Sequence, residues 1–285
     1  MTEMVHGTVP VRDGEPILTR WWRTVDLWSL SCVLMLVGLG VLLSFAATPP
    51  LAERFNVGPF HFVERQMLFA SLSMMVLIPV SLMKPQMVRR LAIVVFVLGF
   101  VGLVLVLFFG SEQGKGASRW FRTPFGTLQP SEFVKPTFMI VSAWLIAAAQ
   151  EPDGPPGRLI SFCGLVAIVG LLAAQPDFGQ AALLLFGWGV MWFVGGAPMA
   201  LVLGLGAMVI GAGVVAYEYS GHFASRIDSY LSGEVEAHSQ LEFATNAIRE
   251  GGFFGVGVGA GTQKWSLPDA HTDYIIAVAA EEYGL

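Results

Sequence analysis

Only 13% of the 285 residues are charged, about half the share expected of a soluble domain, while apolar residues reach 54% and mean hydropathy is +0.65. That balance excludes an ordinary soluble globular domain. The formal net charge of −5 identifies no partner, because in a membrane protein the charge is divided between two aqueous compartments, and no nucleic-acid partner is expected. The two cysteines, Cys32 and Cys163, both lie in apolar runs, which leaves neither a disulfide framework nor a CxxC metal site.

The first 25 residues are polar and include Arg12, Arg20 and Arg23. No short apolar core with a small-residue cleavage site follows, so no removable signal peptide is expected. Seven runs then reach the roughly 17–25 mostly apolar residues that a spanning helix needs. They are Leu27–Ala47, Met67–Met83, Leu91–Phe109, Phe133–Ala149, Leu159–Gln175, Phe178–Gly195 and Pro198–Tyr217. Each must be helical, because lipid offers no partner to a free backbone group. An eighth run, Tyr274–Leu285, rises only about 18 Å against a hydrocarbon core of roughly 30 Å. The expected fold is therefore all-α: a polytopic membrane helix bundle with seven complete spans and a truncated eighth.

Orientation follows from the basic residues. Arg12, Arg20, Arg23, Lys84, Arg89, Arg90 and Arg158 fall on the short segments 1–26, 84–90, 150–158 and 196–197. The alternate segments, 48–66, 110–132 and 218–273, are much longer and carry a similar number of cations at lower density. Short loops steer orientation, and the density favours a cytoplasmic N-terminus. The expected organisation is a cytoplasmic arm over 1–26 and a membrane domain over 27–285, with a large extracytoplasmic loop over 218–273.

Four polar stretches then fall on the outer side. In Gln129-Pro130-Ser131-Glu132-Phe133-Val134-Lys135, Ser131 reads as a helix cap and Glu132 as a first-turn anion within pairing distance of Lys135. An ionisable group such as Lys135 below the interface is a functional candidate by default, whereas Glu132 fits a cap equally well. Gln175-Pro176-Asp177-Phe178-Gly179-Gln180 has the D-x-x-Q form of a capping box in a tight helical hairpin. Ser239-Gln240-Leu241-Glu242 is a capping box too. It opens a short helix in which Leu241, Ala244, Ala247 and Ile248 recur at helical spacing, with Arg249 near its end and Gly251-Gly252 as its stop. That helix is expected to lie on the membrane surface. The glycines from Gly255 to Gly261 lack the spacing of a dinucleotide fingerprint and read as a flexible or closely packed backbone.

In the fourth stretch, Leu267-Pro268-Asp269-Ala270-His271-Thr272-Asp273, the chain re-enters the membrane. Asp273 there reads either as a carboxylate complementing a helix dipole or as a site residue. Of Glu281 and Glu282, which point in different directions on a helix, one is expected to face the bundle and find a partner.

The run Lys115-Gly116-Ala117-Ser118-Arg119-Trp120, the Gln129–Lys135 stretch, Gln175–Gly179 and Leu267–Asp273 resemble the signature segments of the SEDS (shape, elongation, division, sporulation) family, in the family's order and across the chain from the first span onward. The wording of the first and last resembles division-type members more than elongation-type ones. The resemblance implies a ten-helix fold, of which this sequence carries seven helices and the start of an eighth. It implies a peptidoglycan glycosyltransferase that polymerises lipid II, the lipid-linked disaccharide peptide, into glycan strands outside the inner membrane at the division septum. It further implies a class B penicillin-binding protein as transpeptidase partner, alongside other divisome membrane proteins. The family's catalytic aspartate closes the long loop in a Thr-Asp pair, which falls here on Asp273.

The chemistry can be weighed against the residues. Hydrolytic glycosidases need two carboxyl groups, one of them to protonate the departing oxygen. A pyrophosphate leaves without a proton when cations neutralise its charge, so one carboxylate and several basic residues suffice. Asp273 would take the acceptor hydroxyl proton. Lys115 and Arg119 lead the candidates for the pyrophosphate, with Arg249, Arg226 and Lys264 behind them, the last two fitting headgroup contact better. Glu132 and Lys135 complete the candidate substrate site. No metal-ligand spacing is present and no cofactor is indicated, although a divalent cation bridging Asp273 and pyrophosphate stays compatible with the reading. A transporter that flips the lipid precursor and a non-catalytic divisome scaffold are the alternatives. No internal repeat of the transporter kind is found, and the polar motifs gather on one side.

Overall fold

The structure is a computed structural model describing residues 16–112, 118–123, 126–219, 221–232, 239–267 and 270–284. Lys115, Pro268, Asp269, most of the polar N-terminal arm and the side chain of Arg226 lie outside what it describes. Its helices are α1 (Ile17–Thr24), α2 (Leu27–Ala47), α3 (Pro49–Arg54), α4 (His61–Ser81), α5 (Pro85–Phe109), α6 (Pro130–Ala148), α7 (Gly157–Ala174), α8 (Phe178–Val194), α9 (Met199–Tyr219), α10 (Gly221–Ser232), α11 (Gln240–Gly251) and α12 (Ile275–Tyr283). Six of them, α2, α4, α5, α6, α7 and α9, are long and apolar enough to cross a bilayer. α8, at 17 residues, sits at the lower limit for a span. Leu36, Met75, Leu98, Phe186 and Ile210 on these helices are exposed, an arrangement suited to lipid and unsuited to water. The protein is a multi-pass membrane protein.

One element departs from the all-helical expectation. β1 (Ser111–Glu112), β2 (Ser118–Thr123) and β3 (Gly126–Leu128) form a three-stranded antiparallel sheet in the order β1-β2-β3. Phe121 pairs with Leu128, Arg122 with Thr127 and Thr123 with Gly126. The polar connection between α5 and α6 thereby satisfies backbone groups that an irregular loop would leave to water.

The chain divides into two compact units, Met1–Leu82 with Ser225–Leu285, and Met83–Ala224. In the second, α5 packs on α6 through Gly99 and Gly102. A Cβ at Gly99 would stand 2.8 Å from the Val134 side chain, and one at Gly102 would stand 3.2 Å from Pro130. Helices in lipid gain no hydrophobic drive from associating, so close approach over small residues supplies the packing energy instead. Around that contact Leu103, Val134, Phe138, Leu165, Ile168, Leu172, Leu184 and Trp188 form the core. The indole N–H of Trp188 donates to Ser161 Oγ at 2.6 Å, which satisfies the polar edge of the largest buried side chain in that core.

In the first unit the core is made of small residues. Ala46 and Ala47 at the end of α2, Ala244 and Ala247 of α11, Leu267, Ala270, and Ala277 and Val278 of α12 pack together. Ser239 caps α11, its hydroxyl accepting from the Glu242 N–H, and Gly252 ends the helix at φ 54°. The helix is therefore placed as its sequence signals require, but the expectation of a membrane-surface helix is modified: Ala244, Ala247 and Gly251 face α12, leaving Leu241 and Ile248 exposed. The glycine run that follows is closely packed at its two ends, Gly255 against the Glu282 backbone and Gly261 against the Glu281 carboxyl, while residues 256–260 between them are exposed. The N–H groups of Val256 and Gly257 donate to the carbonyls of Glu281 and Glu282, occupying acceptors that the end of α12 leaves open.

The entry to α2 is also capped. Asp26 accepts from the Trp28 N–H at 3.1 Å and from the Ser29 hydroxyl at 2.5 Å. The Ser29 hydroxyl first, and the Trp28 N–H second, hold the Asp26 carboxyl below its ordinary value of 3.8. A depressed value means the cap contributes fully above that ordinary value and is lost as pH falls through the lower folded one. Asp26→Ala should thus lower the thermal midpoint at neutral pH and leave it equal to that of the unaltered protein in strong acid, as thermal melts across that range would read.

Candidate active site

The candidate residues fall into two groups, one in each unit. In the second unit the end of the helices beside the small sheet carries Arg119, Gln129, Glu132, Lys135, Gln175, Asp177 and Gln180. Glu132 lies in the first turn of α6, where the helix dipole favours an anion, and Lys135 lies one turn deeper. The Lys135 ammonium donates to Glu132 Oε1 at 2.9 Å and to Gln180 Oε1 at 2.5 Å, while Gln180 Nε2 donates to Glu132 at 3.2 Å. Three side chains from α6 and α8 thus close a polar triangle. Glu132 is its exposed corner and Lys135 is mostly buried.

Two readings of this end are corrected. Ser131 does not cap α6; Gln129 holds the cap position and Ser131 is buried in the first turn. The reason lies in Pro130, which takes the first helical position with its fixed φ and draws the helix start two residues earlier. Nor does Asp177 form a capping box with Gln180, since its carboxylate makes no hydrogen bond to the α8 backbone. Gln180 is turned toward Lys135 instead. Asp177 is buried and faces Arg119 at 3.6 Å, with Gln129 Nε2 at 3.4 Å on its other oxygen. Asp177 still holds the α7–α8 turn, but through a strand residue.

Arg119 reaches that turn from β2. Its Nε donates to the carbonyl of Gln175 at 3.0 Å and its Nη2 to the carbonyl of Pro176. Two carbonyls left open at the end of α7 are thereby occupied by a cation, the charge the C-terminal end of a helix prefers. Its side chain keeps 30% of its surface exposed. Arg119→Ala would remove these bonds and leave Asp177 buried beside Gln129 alone. A loss of about 2 kcal/mol is expected, readable as a lowered thermal midpoint in detergent.

In the first unit, Asp273 lies just before α12, whose cap position is Tyr274. Its carboxylate is exposed, makes no bond to the helix backbone, and has no hydrogen bond or ion pair among the described residues. The reading of Asp273 as a dipole-complementing carboxylate of the first turn therefore fails, because the turn over 270–274 keeps it outside the helix. Arg249 is exposed in the last turn of α11, likewise without a partner among the described residues.

Lys264 is the largest surprise. Headgroup contact is ruled out for it: it is 2% exposed and its ammonium meets Glu282 Oε1 at 2.5 Å and the carbonyl of Ala46 at 3.3 Å. Glu281 is buried beside it and accepts from the N–H groups of Thr262 and Gln263, at 2.5 and 2.8 Å. Both glutamates find partners, where one was expected to. They can because the segment 261–264 folds across the α12 surface and supplies donors to two directions of that helix. Glu250, which sequence reasoning passed over, accepts from Gln263 Nε2 at 2.7 Å. Among the described residues no group of three or more His, Cys, Asp or Glu is gathered to hold a metal.

Comparison with known proteins now bears on the arrangement. The family model of the FtsW/RodA/SpoVE cell cycle proteins matches residues 27–285. The chain belongs to this family. A Caulobacter vibrioides protein called probable peptidoglycan glycosyltransferase FtsW is 38% identical over 96% of this chain and 70% of its own length. One of the same description from Trichlorobacter lovleyi is 34% identical over 91% of the chain and 70% of its own length. Among solved structures, a study of how a peptidoglycan synthase complex coordinates polymerisation and crosslinking holds a chain that superposes with a TM-score of 0.68 at 23% identity, over 93% of this chain and 73% of that one. Thermus thermophilus RodA superposes at 0.55 with 23% identity, over 93% and 69%. The structural likeness establishes the polytopic helical fold of this FtsW/RodA/SpoVE member.

Proposed function

We propose that this FtsW/RodA/SpoVE-family protein is a peptidoglycan glycosyltransferase that polymerises lipid II into glycan strands for septal wall synthesis. Its relatives carry the glycosyltransferase name at 38% and 34% identity. The observation that carries the assignment to a residue is Asp273: an exposed carboxylate just before α12, with no hydrogen bond or ion pair among the described residues. An exposed carboxylate with no partner among the described residues, in the motif position of the family's catalytic aspartate, is available for chemistry.

In this reading the acceptor sugar hydroxyl attacks the anomeric carbon of the lipid-linked donor. A new C–O bond forms, the bond to pyrophosphate breaks, and configuration inverts. The hydroxyl proton passes to the Asp273 carboxylate as the oxygen's nucleophilic lone pair is committed. An aspartate is a weak base, so the transfer comes late, once bond formation has made the hydroxyl acidic. The pyrophosphate departs on its lipid as an anion and needs cations, not a proton. Lys115 and Arg119 are assigned that role by their motif, Arg119 through the exposed part of its guanidinium. Arg249 and the Glu132–Lys135 pair are assigned to substrate binding. A bridging divalent cation would draw most of its ligands from the pyrophosphate itself.

The reading places the N-terminus in the cytoplasm, the loop over 218–273 outside, and a class B penicillin-binding protein alongside as transpeptidase within the divisome. A solved relative of the fold comes from a complex joining polymerisation to crosslinking, which supports such a pairing. Reconstitution in liposomes with lipid II tests the function. Strand formation is the expected result. Translocation of fluorescent lipid II without strands would instead identify a flippase, and neither activity would leave a scaffold.

A further inference from the structure

Lys264, Glu281 and Glu282 are 2%, 0% and 1% exposed, and the proposed reaction uses none of them. Their arrangement is poorly explained as a device for stability. The ammonium pairs with Glu282, while Glu281 is met by two backbone N–H groups and no cation, and among the described residues the second oxygens of both carboxylates are buried without a hydrogen-bond partner. Apolar side chains of similar volume generally stabilise such a site as well or better. Gly261 is also constrained to lack a side chain, since a Cβ there would stand 2.8 Å from the Glu281 carboxyl. The site spends buried charge on holding one segment in one place.

That segment brackets Asp273. The Lys264–Glu282 bond joins residues 18 apart in sequence, and position 273 is the midpoint between them. Glu281 fastens the same foot of the loop by accepting from Thr262 and Gln263, and Lys264 ties it to the end of α2 through Ala46. Between the two, in the turn before α12, Asp273 has no hydrogen bond or ion pair of its own among the described residues. Its carboxylate is therefore located by the path of the backbone, and the path is fixed where its two feet are pinned together.

We infer that Lys264, Glu281 and Glu282 are positioning residues for Asp273: a buried ionic clip that closes the loop and aims the carboxylate. The inference rests on the glycosyltransferase reading and deepens it. Opening the clip leaves the chain intact but lets the loop sample a wider set of conformations, since the closure entropy met by the clip is returned. A catalytic group displaced by about 1 Å forfeits roughly 100-fold in rate. The loss falls on kcat. KM changes little, because the clip touches none of the residues assigned to bind substrate.

The test uses the full chain in proteoliposomes with lipid II, with variants Lys264→Met, Glu282→Gln and the two combined. Each single variant should lower kcat about 100-fold with KM nearly unchanged. Single variants also leave an unpaired buried charge, so each loses thermal stability. The double variant removes both members of the pair and leaves Glu281 on the same two backbone donors as before, so it should regain the thermal midpoint of the unaltered protein while its kcat stays low. A double variant whose kcat recovers with its midpoint would overturn the inference, as would single variants of ordinary kcat. A second reading does not depend on activity. With Cys32 and Cys163 replaced, a nitroxide on Asp273→Cys should become more mobile when the double change is introduced; an unchanged spectrum rejects the clip. If the unaltered chain makes no strands at all, the glycosyltransferase reading fails, and the nitroxide result still decides whether the clip fixes the loop.

Discussion

Asp273→Ala is expected to abolish strand formation from lipid II while leaving the protein folded in the membrane. The side chain is exposed, has no bonded partner among the described residues and lies outside α12. Its removal should therefore change stability by no more than about 0.5 kcal/mol, the range of ordinary surface substitutions. The rate should fall by about 10²–10⁴, the contribution of a positioned general base. Asp273→Asn should fail equally, because it keeps the shape and loses the capacity to take a proton. Electrophoresis of the strands beside a thermal melt reads both quantities on one preparation. A variant that polymerises at the ordinary rate would remove Asp273 from the reaction, and a variant that unfolds would show that the carboxylate has a structural bond after all.

What was legible in the sequence follows from the range over which each signal acts. Apolar runs are local, and all seven reappear as helices, though with shifted ends. α4 begins at His61 and α5 at Pro85, each six residues before its apolar run, because polar first turns extend beyond the hydrocarbon core. In α5 that extension carries Arg89, whose guanidinium lies 4.8 Å from the Trp144 ring, an attachment that hydropathy cannot register. The Ser239 cap was readable because donor and acceptor lie within one turn.

Where partners are distant in sequence, local rules selected the wrong ones. Asp177 resembled a cap because Gln180 was near, whereas its cation is Arg119 on a strand. The strand itself was hidden, since short polar segments such as Ser118–Thr123 lack the alternation that marks a half-buried sheet. Lys264 and Glu282 gave no sign of each other, and only the folding of the glycine segment onto α12 brings them into contact. Asp273 was the converse case. Its motif was visible, but that it has no bonded partner among the described residues could be known only once the start of α12 was placed.

Gly251→Ala should be strongly destabilising, and Gly40→Ala supplies its control. Both glycines are helical. A Cβ at Gly251 would stand 1.9 Å from the carbonyl oxygen of Ala280 and 2.8 Å from the Cα of Glu281, so α11 and α12 must part to admit it. The neighbouring contacts, Ala244 and Ala247 against Ala277 and Val278, have no flexible side chain that could move aside, and the cost should reach about 3 kcal/mol, the upper end for overpacking. Nothing lies within 4 Å of a Cβ at Gly40, where alanine should be neutral or stabilising by about 0.5–1 kcal/mol. The separation of α11 from α12 would also draw the segment 255–264 away from Glu281 and Glu282, so Gly251→Ala should lose strand formation together with stability, whereas Asp273→Ala loses strand formation alone. Thermal melts of the two glycine variants in one detergent make the comparison. Equal midpoints would mean that α11 does not pack on α12 through Gly251, and the loop that presents Asp273 would then need another foundation.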